Sequence, residues 1–263
     1  MGCVDLLADS HVHLEQYPVS MHAGLVQRAR AAGVEMLLAV SLSLASSRRS
    51  LGLAERLPGV YAAVGVHPQR LRRQHVRSLE ALGSDTRMRA IGEVGLDYAP
   101  TAAPPDVQRA FLIDCLDLAQ QLGRAVALHV VGARAHADAL ALLAARTAGP
   151  PVIVHYFVGD EHLAAAYLAV GCALSVGKPV TRPENAALRA AVRTIPPERL
   201  LLETDAYPLP GRTTEPRDVV DICRAVAALR DEPPEVVART TTDNFRRLLG
   251  MLSGDAAGSG AVS

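Results

Sequence analysis

Six side chains suited to holding divalent metal ions stand at the ends of short apolar runs in this chain: His11, His13, Glu93, His129, His155 and Asp205. Residues 9–14 read Asp-Ser-His-Val-His-Leu, directly after the apolar run 4–8. Side chains alternate along a strand, so His11 and His13 point to one face and can reach one point in space. Further on, one run enters Gly65-Val66-His67-Pro68 and another ends in Gly92-Glu93-Val94-Gly95-Leu96-Asp97-Tyr98. Two more end in His129 and His155, and the last ends in Glu203-Thr204-Asp205. Four histidines and two carboxylates suit two borderline divalent ions such as Zn²⁺ or Mn²⁺, with Mg²⁺ also open. Glu93, between the two histidine groups, is placed to bridge ions about 3.5–4 Å apart. His11, His13 and Asp205 would then complete one site, and His129 and His155 the other. The chemistry is hydrolysis: a water acidified between two such ions attacks phosphorus or a carbonyl carbon. Asp205 can accept that water's proton as general base, so Glu93 and Asp205 are the expected catalytic carboxylates.

The elements that must position these residues are legible as alternation. Strand-like runs fall at 4–8, 34–40, 60–66, 88–94, 125–129, 152–155, 173–176 and 200–203. Helical patterns lie between them near 21–32, 45–56, 74–83, 105–122, 133–146, 160–169, 183–193 and 215–230, with one more near 234–249. Short apolar strands separated by helices indicate a parallel sheet. Eight such units in 263 residues indicate a (β/α)8 TIM barrel, a fold of about 250 residues. Gly33, Gly59, Gly123 and Gly171 stand just before strands, where a helix C-cap or turn is wanted. An open doubly wound sheet is the alternative, but no Gly-x-Gly-x-x-Gly follows the first run. A single domain is expected over 1–252, with a frayed tail over 253–263. Active sites of such barrels lie at the C-terminal ends of the strands, where these six residues stand.

Composition narrows the class. Hydrophobic residues make up 49%, which fits a packed globule. No stretch approaches the roughly 18 apolar residues of a membrane span. Asp5 and Asp9 interrupt any apolar leader, so a cytoplasmic protein is expected. Cys3, Cys115, Cys172 and Cys223 lie far apart and read as buried thiols. The 27 Lys+Arg balance 27 Asp+Glu, which argues against coating long nucleic acid by charge alone. It leaves open an enzyme that takes one phosphodiester at a time. The densest basic group, Arg70, Arg72, Arg73 and Arg77 with His75, reads as a solvated helix face or a contact to a substrate backbone. With 3% aromatics and no Trp, no base-stacking platform is evident.

Taken in order, these motifs resemble the TatD family of metal-dependent hydrolases, within the amidohydrolase-like barrels. The matching pieces are Asp9-Ser10-His11-Val12-His13-Leu14, Gly65-Val66-His67-Pro68, Ile91 through Tyr98, His129, His155-Tyr156-Phe157-Val158-Gly159 and Leu202-Glu203-Thr204-Asp205. Asn244-Phe245-Arg246-Arg247-Leu248 resembles the family's closing helix, so the likeness runs from about residue 5 to 249. It implies metal ligation by His11, His13, Glu93, His129, His155 and Asp205. It also implies nuclease or related hydrolase activity, including exonuclease action from the 3′ end of single-stranded DNA or RNA. Some relatives are credited with removing D-amino acids from tRNA. The chain departs from the family at three loops: Arg134 is displaced from His129, Thr214-Glu215-Pro216 stands where Asn-Glu-Pro is common, and Val158 stands where Ser usually precedes the Gly.

The expected activity is therefore two-metal hydrolysis of phosphodiesters. The alternative is a carbonyl substrate at the same site: an ester, lactone, amide or D-aminoacyl-tRNA. A barrel that keeps the fold without the activity is the third reading. His67 and Tyr98 are expected substrate contacts. Asp9 and Glu203 share strand phase with His11 and Asp205, and are expected either to orient a ligand or to bond structurally. Lys178 lies in a loop after the seventh strand and is not expected to bridge metals. His22, His75, His136 and His162 are expected exposed on helices. A monomer is the default for such a barrel, and no membrane contact is expected.

Overall fold

Eight parallel strands pair in chain order: β1 (Leu7–Val12), β2 (Val34–Val40), β3 (Val60–Val64), β4 (Met88–Asp97), β5 (Ala125–Val131), β6 (Val152–Val154), β7 (Ala173–Val176) and β8 (Leu200–Leu202). The computed structural model describes residues 7–71, 76–83, 85–211 and 214–251. The expected tail over 253–263, the start of the first run, Cys3, Arg72, Arg73 and His75 lie outside them, as does the side chain of Arg77. The outer ring is α1 (His22–Ala31), α2 (Leu44–Arg56), α3 (Val76–Glu80), α4 (Pro105–Leu122), α5 (Ala133–Ala144), α6 (Glu161–Ala169), α7 (Ala186–Thr194) and α8 (Val219–Arg230). A further helix, α9 (Pro234–Leu248), follows.

The barrel closes through main chain just past the last strand. Asp205 N–H donates to the His11 carbonyl (2.9 Å), and His13 N–H donates to the Ala206 carbonyl (3.0 Å). Val12 bridges Ala206 in parallel. Closure therefore places the ends of β1 and β8, with their histidines and Asp205, side by side. The strands carry two apolar faces. The outward face packs under the helices, with Leu37, Ile91, Leu128 and Leu174 buried there. The inward face holds a smaller cluster that includes Leu38, Ala90, Ile153 and Leu201. Phe245 of α9, fully buried, stops this cluster together with Leu248 and Leu249. Asn244 ties α9 to the start of β8 by donating to the carbonyls of Pro197 (2.7 Å) and Leu200 (2.9 Å).

Local chemistry explains the element ends. α4 opens with Pro105 and carries Asp106 in its first turn, then stops at left-handed Gly123. Gly33, Gly59, Gly123 and Gly171 all have positive φ, as expected for turns before strands. Ser43 and Ser46 cap the start of α2 reciprocally. Differences from the sequence reading cluster at the strands' C-terminal ends. β1 continues through His11 to Val12, and β4 and β5 run on to Asp97 and Val131, because these ends keep pairing around the rim. Of the helix histidines, His162 is exposed as expected. His22 is instead buried against the Tyr17 carbonyl (2.8 Å), and half-buried His136 meets the Tyr167 hydroxyl (2.8 Å). The described cysteines, Cys115, Cys172 and Cys223, are buried and free.

Candidate metal centre

Glu93 stands at the middle of the rim with its two oxygens turned to different partners. Oε2 lies 3.4 Å from His11 Nε2 and 3.5 Å from His13 Nε2. Oε1 lies 2.7 Å from His129 Nδ1, 3.0 Å from His155 Nε2 and 3.5 Å from His67 Nε2. Asp205 Oδ1 closes the first group, 3.2 Å from His13 Nε2 and 3.9 Å from His11 Nε2. The structure thus brings together all six expected ligand residues, with His67 beside them.

The backbone is shaped for this convergence. Between Asp9 and Val12, and again between Ile91 and Val94, one strand carries an extra residue relative to its neighbour. Such bulges re-aim side chains, here His11 and Glu93. At Gly95 a Cβ would press on the His129 carbonyl oxygen, so only glycine lets β4 and β5 approach there. Tyr156 and Asp205 both adopt left-handed backbone (φ 46° and 49°), the strained conformation that concentrates at functional sites. Tyr156 N–H donates to Glu203 Oε1 (2.6 Å) and Asp205 N–H is held by His11, so the surroundings impose both conformations.

Burial and charge set the protonation. Burial alone would raise the Glu93 carboxyl, but His155, His11 and His129 hold it well below the usual range. Burial opposes charge on His155 too, yet Glu93 and Glu203 push it well above its ordinary value. Against the same burial, Asp205 and Glu93 bring His13 to about 9. His11 goes the other way, lowered by burial and by His155, on whose ring it stacks at 3.9 Å. Burial depresses His67 to about 4.

Polar atoms left without partners test whether metal fits. Neither ring nitrogen of fully buried His11 nor Asp205 Oδ1 makes a well-formed hydrogen bond, and their nearest polar neighbours are the cluster's own ligand-type groups. Buried polar groups are nearly always satisfied, and a cation between these atoms would satisfy them. Among the described residues, His11, His13 and Asp205 form one group able to hold an ion, and His11, Glu93 and His155 another. A third comprises His67, Asp97 and His129.

Several supporting residues differ from the sequence reading or escaped it. Asp9 does not meet the His11 ring. It accepts from the His11 N–H (3.2 Å), the Thr204 N–H (3.0 Å) and the Thr204 hydroxyl (2.5 Å), and so locks β1 to the β8 end. Glu203 does orient a histidine, with Oε1 3.3 Å from His155 Nδ1. Glu15, missed in the sequence, is buried with both carboxylate oxygens unpartnered, and burial lifts it to about 7. Its place two residues past His13 was the available signal. Tyr98 is not among the residues lining the cavity: its hydroxyl donates to Asp138 Oδ2 (2.7 Å), and Arg134 stacks on its ring. The altered loop at 214–216 is fastened, with Glu215 accepting a bidentate pair from Arg28 (2.8 and 2.9 Å) and Tyr17 donating to the Thr214 carbonyl.

The rim opens into a cavity of about 340 Å³. Its floor is the histidine–carboxylate cluster, and its lip includes Val131, Val158, Tyr156 and Tyr207. Among the described residues, Arg70 is the only arginine or lysine lining it. A barrel with this rim defines the class: a metal-dependent hydrolase acting on ester bonds. The chain belongs to the TatD-related DNase family, whose family model matches residues 8–250. It is 36% identical over 261 residues to a protein of Mycobacterium tuberculosis named uncharacterized metal-dependent hydrolase TatD, covering 93% of this chain and 98% of the relative. It is also 36% identical over 238 residues to the 3′-5′ ssDNA/RNA exonuclease TatD of Cronobacter sakazakii, covering 85% and 90%. Among solved structures it resembles YJJV, a TatD homologue from Escherichia coli K12, with a TM-score of 0.82 and 27% identity over 94% of this chain and 98% of that one. Among the described residues, no helix is long and apolar enough to cross a membrane.

Proposed function

We propose that the protein removes nucleotides from the 3′ end of single-stranded DNA or RNA, using two divalent ions, Zn²⁺, Mn²⁺ or Mg²⁺, held on the rim. The split of Glu93 carries this reading, because one carboxylate faces the first histidine pair through Oε2 and the second through Oε1. His11, His13, Asp205 and Glu93 Oε2 would hold one ion, and His129, His155 and Glu93 Oε1 the other. Ions bound there lower the pKa of a water and offset charge on a phosphate.

The chain's own groups do the rest. Burial would raise the Asp205 carboxyl, but His13, His11 and His155 hold it below its ordinary value. It is therefore ionised; with Oδ1 turned to the ion, its other oxygen, Oδ2, would accept the water's proton. His67, at the cavity floor, is placed to hydrogen-bond a phosphate oxygen. Arg70 at the mouth adds positive charge for the next phosphate. The name of the Cronobacter sakazakii relative supports the choice of substrate.

The test is the metal-stripped protein on 3′- and 5′-end-labelled single-stranded DNA and RNA, with Mn²⁺, Mg²⁺ or Zn²⁺ added back. The expected result is stepwise shortening from the 3′ end that requires a metal. An intact strand together with metal-dependent hydrolysis of an aryl ester or a D-aminoacyl-tRNA would move the reading to carbonyl substrates.

A further inference from the structure

One buried acid near the cluster has no role in the proposed chemistry. Asp97 ends β4, four residues beyond Glu93, and is 5% exposed. Its main chain is clamped on both sides by fully buried Gln108 of α4. Asp97 N–H donates to Gln108 Oε1 (2.7 Å), and Gln108 Nε2 donates to the Asp97 carbonyl (2.7 Å). The carboxylate is pinned as well. Oδ1 accepts from the Ala99 N–H (3.1 Å), and Oδ2 accepts from Gln69 Nε2 (2.6 Å). The remaining contact of Oδ2 is His129 Nε2, at 3.4 Å. The other nitrogen of that ring, Nδ1, faces Glu93 Oε1 and lies 3.1 Å from His155 Nε2.

We infer that Asp97 is a positioning residue for the second metal site: it keeps the His129 proton on Nε2 and turns Nδ1 toward the ion. This rests on the two-metal reading above. An imidazole that donates one N–H to a carboxylate offers its other nitrogen as a better oriented and more basic ligand. Glu203 stands in the same relation to His155, with the nitrogens exchanged: Nδ1 meets the acid and Nε2 faces Glu93. Both histidines of the second site are thus backed by acids. In the first site, His13 Nδ1 meets only the Val40 carbonyl (3.0 Å), and His11 Nδ1, the nitrogen turned away from Glu93, has no hydrogen-bond partner. The rival role for Asp97 is direct ligation with His67 and His129. The geometry favours positioning, since Gln69 already bonds Oδ2 and its main-chain N–H donates to His67 Nδ1 (3.2 Å).

The test is Mn²⁺ binding by calorimetry to wild type, Asp97→Asn, Asp97→Ala and Gln69→Ala, with thermal melts of the metal-free forms. The expected result is an unchanged number of ions at saturation, with one ion bound about 10–100-fold more weakly in the Asp97 variants. The other ion keeps its affinity, and Gln69→Ala moves the same ion by less. Asp97→Asn, which keeps the side chain's shape, serves if Asp97→Ala fails to fold. Unchanged affinities overturn the inference. So does equal weakening of both ions, which marks a merely structural residue. So does loss of a whole ion with the other unaltered, which marks Asp97 as a ligand. Wild type that binds fewer than two ions defeats the two-metal reading itself, and the inference with it.

Discussion

The same eight strands build two opposite interiors. Toward one end, Leu38, Ala90, Ile153 and Leu201 make an apolar cluster that Phe245 closes. At the other end, buried Glu93, His11, His13 and His155 crowd together, with atoms left unpartnered. An apolar end gains stability from removing surface from water. A polar end without its ions holds buried charges whose desolvation is costly even when they are paired. The protein therefore keeps its stability and its chemistry at different ends, as TIM barrels generally do. Changes at the rim should alter activity and spare the fold, and changes at the Phe245 end should do the reverse.

The largest expected effect is at the carboxylate shared by both groups. Glu93→Ala should abolish turnover, by at least about 10³-fold, since in the proposed two-ion reading it removes the ligand common to both. The metal-free variant should still fold and melt cooperatively, since the apolar end is untouched, although His155 and His13 lose a buried partner. Turnover within tenfold of wild type would show that Glu93 does not join the two groups. Asp205→Asn comes next, with a loss of about 10²–10⁴-fold in kcat, the span of general acid–base work, while metal stays bound. Full activity in that variant would remove Asp205 from proton transfer.

Phe245→Ala tests the other end. Emptying a fully buried aromatic site costs about 3–5 kcal/mol of stability, measurable by urea unfolding. At temperatures where the variant stays folded, kcat and metal content should match wild type. A parallel loss of activity would mean that the two ends are coupled and the comparison fails.

A smaller effect is the pH response of the metal-free rim. With His13 at about 9, the folded chain holds a proton between pH 6.5 and 9 that the unfolded chain releases. That stabilisation is complete below pH 6.5 and is lost as pH rises through 9. Asp9, lifted to about 8 by burial, acts in the same direction, since the cost of ionising it grows as pH rises to that value. The melting temperature of stripped protein should therefore fall from pH 6.5 to 9. Metal uptake at pH 7 should release protons, because the ligand is the neutral imidazole. Calorimetry in two buffers of different ionisation enthalpy measures that release, and none would mean that His13 is already neutral.

Much of this was legible in the sequence because it rests on local rules. Strand–helix alternation specified the barrel, and six ligand-type residues at run ends specified the rim. The less legible parts depend on contacts between distant segments. Whether Asp9 meets the His11 ring or Thr204 is decided by barrel closure between residues 195 positions apart. His22 is a local exception: it looks like a surface residue on a helical pattern, but the chain just before α1 turns so that the Tyr17 carbonyl, five residues back, meets its ring. Asp97 and Glu203 sat in the right motifs, but which ring each would back depends on how neighbouring strands are staggered.

The smallest prediction separates two residues that the sequence treated alike. His67 and Tyr98 both stand near strand ends, and both were expected to touch substrate. The structure brings His67 Nε2 to 3.5 Å from Glu93, while the Tyr98 hydroxyl is spent on Asp138, which Arg109 also holds at 3.1 Å. His67→Ala should lower kcat/KM by about tenfold, the value of roughly one hydrogen bond to a charged group. Tyr98→Phe should leave kcat/KM within twofold and cost only about 1 kcal/mol of stability, since it deletes one partly exposed hydrogen bond. A Tyr98→Phe enzyme with a raised KM would mean that the ring swings from Asp138 to the cavity when substrate binds. The rim would then be less rigid than the end it is compared with.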